Sequence, residues 1–171
     1  MSREKQPELA AVCGLYCGAC SLYIATTEND TEKLEYFAKS YNTDVEGMKC
    51  LGCRSDVLTV FCRECEFKTC TDEKNIGFCG ECGEYCDAFK EFQQAKPHRI
   101  ELYQDLKRIS EVGPEEWMKE MEKRYACKSC STINSAYNMT CRKCGHMPSS
   151  AYSAEHSDKA ADFLKKLGRD L

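Results

Sequence analysis

Cys127-Lys128-Ser129-Cys130 and Cys141-Arg142-Lys143-Cys144 form two CxxC pairs separated by ten residues. A CxxC turn aims two thiolates at one point, and two such turns supply the four sulfurs of a tetrahedral zinc site at about 2.3 Å. Protein fills all four positions, so the expected site is closed and structural, with no open position for catalysis. Gly145 gives the second turn the backbone freedom that such knuckles often need.

Eleven more cysteines stand at Cys13, Cys17, Cys20, Cys50, Cys53, Cys62, Cys65, Cys70, Cys79, Cys82 and Cys86. Cys50, Cys53, Cys62 and Cys65 read as two CxxC pairs eight residues apart and suit one metal; Cys70, Cys79, Cys82 and Cys86 suit another. That leaves Cys13, Cys17 and Cys20 as a CxxxCxxC triplet, although Cys50 and Cys53 could instead join two of its members. Radical S-adenosylmethionine enzymes hold three corners of a [4Fe–4S] cluster with this spacing. The triplet could therefore carry such a cluster, or a zinc with a fourth ligand from elsewhere. The strand–helix alternation of those enzymes is missing here, as is a glycine-rich motif for their cofactor. His98 could lend a nitrogen to the triplet, though a surface role is the simpler reading. His146 and His156 lie in or beyond the last two pairs, where four cysteines already suffice.

Helical spacing supplies the elements that must position these thiols. Leu34, Phe37, Ala38 and Tyr41 form a stripe after Thr31 as N-cap. Ala88, Phe89 and Phe92 open a helix after Cys86, and Pro97 starts one striped by Ile100, Tyr103, Leu106 and Ile109. Gly113-Pro114 breaks the chain, and Trp117, Met121 and Tyr125 then share one face. A last helix is expected over residues 158–167, with Phe163, Leu164 and Leu167 inward and Gly168 ending it. The best β segment runs over residues 56–61. These stripes are most simply core. The cysteine block cannot bury enough apolar surface by itself, so metals would supply its stability.

Composition narrows the function. Hydrophobic residues make up 42% and charged ones 30% of the 171 residues, and the net charge is -4, which gives no general pull toward nucleic acid or anionic membrane. The polar stretch Met1 to Glu8 has no signal-peptide core, and no run approaches a membrane span. A cytoplasmic location is expected, where clustered thiols more often hold metal than pair. Fifteen cysteines are also an odd number for complete disulfide pairing. Lys119, Lys123, Arg124, Lys128, Arg142 and Lys143 outnumber Glu120 and Glu122 around the last two pairs, which suits the negative charge of a four-thiolate zinc. Base stacking on Tyr125 and Tyr137 is the less favoured use of that patch. No P-loop, HExxH, GxSxG or histidine-based triad is present, and no βαβ context makes the CxxC pairs thioredoxin-like.

The opening Cys13-Gly14-Leu15-Tyr16-Cys17-Gly18-Ala19-Cys20 resembles that of an uncharacterised cysteine-rich bacterial and archaeal family, a domain of unknown function. Cys50-Leu51-Gly52-Cys53-Arg54-Ser55, Phe78-Cys79-Gly80-Glu81-Cys82, Cys86 and the segment from Ile109 to Tyr125 extend the resemblance over most of residues 11–145. In that family a proline often precedes the cysteine matching Cys86, where this chain has Tyr85. The resemblance implies cysteine-bound metal and a zinc ribbon, and no established activity. The expected fold is a small, metal-stabilised α+β protein. Residues 1–95 form the cysteine-rich domain, 96–125 a helical segment, 126–147 the zinc ribbon and 148–171 a C-terminal helix. The expected function is a multi-zinc binding module, with three or four ions, that meets a protein partner. The alternative is an iron–sulfur protein for electron transfer or metal handling, centred on Cys13, Cys17 and Cys20.

Overall fold

The computed structural model describes residues 7–168. Among them, eight α-helices alternate with loops and short 3-10 turns. They are α1 (Ser21–Thr27), α2 (Thr31–Ser40), α3 (Val60–Arg63), α4 (Glu66–Glu73), α5 (Asp87–Gln94), α6 (Leu102–Val112), α7 (Pro114–Tyr125) and α8 (Ala151–Lys166). Strand pairing among the described residues is confined to isolated bridges, Ala10 with Tyr16 and Ala126 with Ile133. The protein is mostly helical, which corrects the α+β expectation and its ribbon hairpins. The strand expected over residues 56–61 does not form. Val57 to Thr59 are irregular, α3 starts at Val60, and Val57 and Phe61 face solvent. β-branched residues favour a strand only where a neighbour completes the ladder.

The stripe of α7 follows the sequence in full, and those of α5 and α6 follow it in part. α5 begins right after Cys86 and buries Phe89; α6 buries Leu102, Leu106 and Ile109; α7 buries Trp117, Met121 and Tyr125. Gly113 makes the turn between α6 and α7 with a φ of +83°, and Pro114 starts α7 with a pre-set φ. Three helix starts differ. Pro97 opens a 3-10 turn over Pro97–Arg99, and α6 begins only at Leu102, so Ile100 lies outside it. The α2 cap is Asp30, whose carboxylate accepts from the Lys33 amide at 3.0 Å, one residue ahead of Thr31. α8 starts at Ala151 because the Ser150 hydroxyl accepts from the Ser153 amide at 3.1 Å. Its inward face is Tyr152, Ser153 and Ala160, while Leu167 is exposed.

Trp117 is the centre of the main core, fully buried. Tyr16 meets it edge-on at 6.2 Å between ring centroids and lies 6.1 Å from Tyr125. Tyr125 in turn stacks on Tyr152 of α8 at 4.8 Å. The loop carrying Tyr16 sits so close to α6 that a Cβ on Gly14 would come 2.8 Å from the Leu106 Cγ. A separate small core gathers Leu22, Ala25, Leu34, Ala38 and Met48.

The Trp117 indole donates to the Asp105 carboxylate at 3.1 Å. Burial raises the Asp105 pKa from 3.8 to about 7; the indole and Arg124 oppose the shift and Glu101 adds to it. The folded state thus holds this proton more tightly than the unfolded chain, and stability falls as pH rises between those two values. Asp105→Asn keeps the acceptor and removes the charge. We expect it to raise the melting temperature at pH 8 and to have little effect near pH 4. A gain of equal size at both pH values would contradict this assignment.

Candidate metal centre

The cysteines that end the sequence pattern converge. The four sulfurs of Cys127, Cys130, Cys141 and Cys144 lie within 4.8 Å of one another. Cys127 approaches Cys144 at 3.7 Å and Cys130 approaches Cys141 at 3.6 Å. Cys127 and Cys141 are buried and the other two exposed. This four-thiol group can bind a metal ion.

Each knuckle is built by the same local device. In the first, the Ser131 amide donates to the Cys127 carbonyl at 2.8 Å; in the second, the Gly145 amide donates to the Cys141 carbonyl at 2.9 Å. Both donors sit in the left-handed region, Ser131 at a φ of +59° and Gly145 at +72°. The first knuckle follows directly from α7, since the Asn134 amide donates to the Tyr125 carbonyl at 2.9 Å. The two knuckles meet as turns rather than as hairpin strands.

Asn134, unnoticed at the sequence level, is the strut between them, and it is fully buried. Its side-chain amide donates to the Thr132 and Ser149 carbonyls at 2.9 and 3.1 Å and reaches the Cys141 sulfur at 3.7 Å. Its oxygen accepts from the Arg142 amide at 3.0 Å. Burial works against a charged Cys141, but the Cys144 and Lys143 amides and the Asn134 side chain outweigh it and bring the thiol down to about 6. An asparagine in a ten-residue spacer carries no periodic signal, so only the fold exposes its role. Arg142 also forms an ion pair with Glu28 just beyond α1, with one contact at 2.6 Å.

The remaining eleven thiols are arranged differently. Cys20, Cys65 and Cys86 occupy the N-caps of α1, α4 and α5; Cys62 lies in α3 and Cys70 in α4; Cys17 opens one 3-10 turn, and Cys79 and Cys82 bound another. Cys13 and Cys50 are buried, whereas Cys20, Cys82 and Cys86 are exposed. Among the described residues, no three of these eleven bring their sulfurs all within 4.8 Å. The Cys13–Cys17–Cys20 triplet is therefore not a tight group. Burial raises the Cys79 thiol to about 12, helped by repulsion from Cys70, Cys65, Cys82 and Cys86. Lys74 donates to the Cys82 sulfur at 2.9 Å. Arg54 is a second residue of unforeseen importance. It donates to the Ala10 carbonyl at 2.8 Å and the Gly77 carbonyl at 2.6 Å, and lies 4.8 Å above the Phe78 ring. That clamp holds the loop before Cys13 beside the turn that carries Cys79.

The histidines are engaged elsewhere. His98 Nδ1 is 2.6 Å from the Tyr137 hydroxyl, and burial, with Arg99 and Lys96 nearby, lowers the ring to about 3. It is a half-buried neutral residue engaged with Tyr137. His156 Nε2 is 2.7 Å from Glu101, and these two with Glu155 are the other clustered set of metal-ligand types. Arg124 already occupies both carboxylates, reaching Glu101 at 2.7 Å and Glu155 at 2.9 Å. This cluster is closed by its own cation.

A family described as a protein of unknown function (DUF3795) matches residues 9–93. That span holds the eleven-cysteine block and ends before the four-cysteine centre. No curated protein and no solved structure matches the chain.

Asn134→Ala would strip the partner from the buried Ser149 carbonyl and from the part-buried Thr132 carbonyl and Arg142 amide, and we expect a loss of about 2 kcal/mol, read by chemical unfolding. Gly145→Ala should cost about 1–2 kcal/mol through backbone strain alone, since nothing lies within 4 Å of the added carbon. Ser131→Gly should be neutral or stabilising. A stable Asn134→Ala protein would mean that the knuckles hold their positions without the strut.

Proposed function

We propose that this protein is a metal-binding module in which Cys127, Cys130, Cys141 and Cys144 hold one structural zinc. The carrying observation is the sulfur spacing. A tetrahedron with zinc–sulfur bonds of about 2.3 Å has edges of about 3.8 Å, and the paired thiols stand 3.7 and 3.6 Å apart. Bound there, zinc supplies a cross-link between two turns and no reactive position. The eleven-cysteine block holds the further ions, for three or four in all. Lys128 and Lys143 lie beside the negative centre, while Arg142 is shared with Glu28.

The module works in the cytoplasm by presenting a rigid surface to a protein partner. Tyr41, Leu51, Val57 and Phe61 support this, because all four are large, apolar and exposed, and Tyr41 and Phe61 lie 5.3 Å apart. Nucleic acid is a poorer fit: Tyr125 is buried and Tyr137 is bonded to His98, so neither ring is free to stack on a base. No helix among the described residues is long and apolar enough to cross a membrane. An iron–sulfur role for the N-terminal block is the second reading. It is favoured by the wide spacing of those thiols, since a multinuclear cluster spreads its ligands further than one zinc does.

Plasma mass spectrometry on protein purified without oxygen tests both readings. We expect zinc in the wild type, one equivalent less in Cys130→Ser, and a lower melting temperature for that variant. Unchanged zinc and unchanged melting in Cys130→Ser would sink the C-terminal assignment. A broad absorption band near 400 nm with iron and sulfide would move the N-terminal block to the second reading.

A further inference from the structure

The four-cysteine centre has an asymmetry that holding an ion does not require. Each knuckle carries one buried sulfur, Cys127 or Cys141, and one exposed sulfur, Cys130 or Cys144. The approaches of Cys127 to Cys144 at 3.7 Å and of Cys130 to Cys141 at 3.6 Å both run from one knuckle to the other. Each therefore sets an exposed thiol against a buried one. The buried members are each held by a nearby donor. The Ser129 amide meets the Cys127 sulfur at 3.4 Å, and the Asn134 side chain meets that of Cys141 at 3.7 Å. Cys130, by contrast, lines an open cavity of about 630 Å³, with Ser131, Thr132 and Lys143 on the same wall.

Exposed thiols beside basic groups are the ones that peroxides reach and oxidise. A buried thiol at 3.6 or 3.7 Å is then placed to resolve the oxidised one. Rotation about the Cα–Cβ bonds closes that gap toward the roughly 2.05 Å of a disulfide. The frame that keeps the pairs facing does not depend on the sulfurs. Asn134 fastens the Thr132 and Ser149 carbonyls and the Arg142 amide, and each knuckle closes its own backbone bond. A disulfide within one CxxC pair would bind that knuckle to itself and add nothing between the two.

We infer that this centre is a reversible oxidation site for small hydroperoxides, in which Cys130 joins Cys141 and Cys144 joins Cys127. The two disulfides then take over the cross-link between the knuckles. The inference rests on the zinc reading of the same four residues. In the first bridge the Cys130 thiolate attacks a peroxide oxygen and the O–O bond breaks. The departing hydroxide takes a proton and leaves as water, and Cys130 becomes a sulfenic acid. The Cys141 thiolate next attacks the Cys130 sulfur, the S–O bond breaks, and a second protonated hydroxide leaves as water. Two thiolates, one hydrogen peroxide and two protons thus give one disulfide and two waters. The sulfurs lose two electrons and the peroxide gains them. Cys144 and Cys127 repeat the sequence with a second peroxide, and with its thiolates gone the centre releases its divalent ion.

Peptide mapping of the zinc-loaded full chain after hydrogen peroxide treatment tests this, with free thiols then alkylated and trypsin as the protease. Lys128, Arg142, Lys143 and Lys159 divide the region so that Cys130 and Cys141 share the peptide 129–142. Cys127 falls in 125–128 and Cys144 in 144–159. We expect 129–142 closed on itself and unalkylated, and 125–128 linked to 144–159. Dithiothreitol with zinc should reverse both. Zinc released should exceed by one equivalent that from Cys130→Ser treated alike. A link between 125–128 and 129–142 would mean that Cys127 pairs otherwise, and would overturn the inference. So would unreacted thiols, sulfinic or sulfonic acids without disulfides, or links to the N-terminal cysteines. Equal zinc in untreated wild type and untreated Cys130→Ser would overturn the zinc reading, and this inference with it. An unexpected map beside the expected zinc content would overturn the oxidation alone.

Discussion

Tyr16 leaves the cysteine loop and lays its ring edge-on against Trp117, the residue at the centre of the main core. Aromatic contacts of this kind add about 0.5–1.5 kcal/mol to the area they bury, but the greater effect here is placement. Tyr16 stands one residue before Cys17 and three after Cys13, so its position sets where both thiols can be. The same ring lies beside Tyr125, whose carbonyl receives the Asn134 amide at the start of the first C-terminal knuckle. One aromatic cluster thus registers both cysteine regions against a common helical frame. The absence of a Cβ on Gly14 lets the loop approach α6 closely enough for this to happen.

The two regions solve the problem of gathering thiols by different means. The C-terminal centre is local. Two short turns of like design and one buried asparagine bring together residues that lie within 18 positions of each other, from Cys127 to Cys144. Little chain entropy separates such a site from its unfolded form. The N-terminal block instead draws its members from loops, caps and helices spread between Cys13 and Cys86. It needs Arg54 to bridge Ala10 and Gly77 before the parts lie side by side.

That difference explains what could be read from the sequence. The knuckle spacing is local information, and it pointed to the four residues that the structure brings within 4.8 Å. The stripe of α7 was legible in full, and Phe89 of α5 with Leu106 and Ile109 of α6 in part, because these apolar residues repeat at helical spacing and face one core. The segment over residues 56–61 misled because propensity was all it had; among the described residues no partner strand exists for it to join. α8 began earlier than expected because its first turn is anchored by Tyr152, whose hydroxyl donates to the Pro97 carbonyl at 2.6 Å. A single aromatic among small polar residues makes no stripe. Asn134 and Arg54 were silent for a similar reason, since each acts through backbone groups such as the Ser149 carbonyl for one and the Ala10 and Gly77 carbonyls for the other, which no periodic pattern marks.

The contact between Tyr16 and Trp117 also has a temporal side. Trp117 follows Tyr16 by 101 positions, and a ribosome adding about 5–20 residues per second needs roughly 5–20 s to cover that distance. Throughout that interval the loop bearing Cys13, Cys17 and Cys20 has been made but its aromatic seat has not. Nascent thiols then stand open to oxidants and to whatever metal ions are nearby. The order in which this chain is synthesised therefore leaves the earliest cysteines without their seat until α7 arrives.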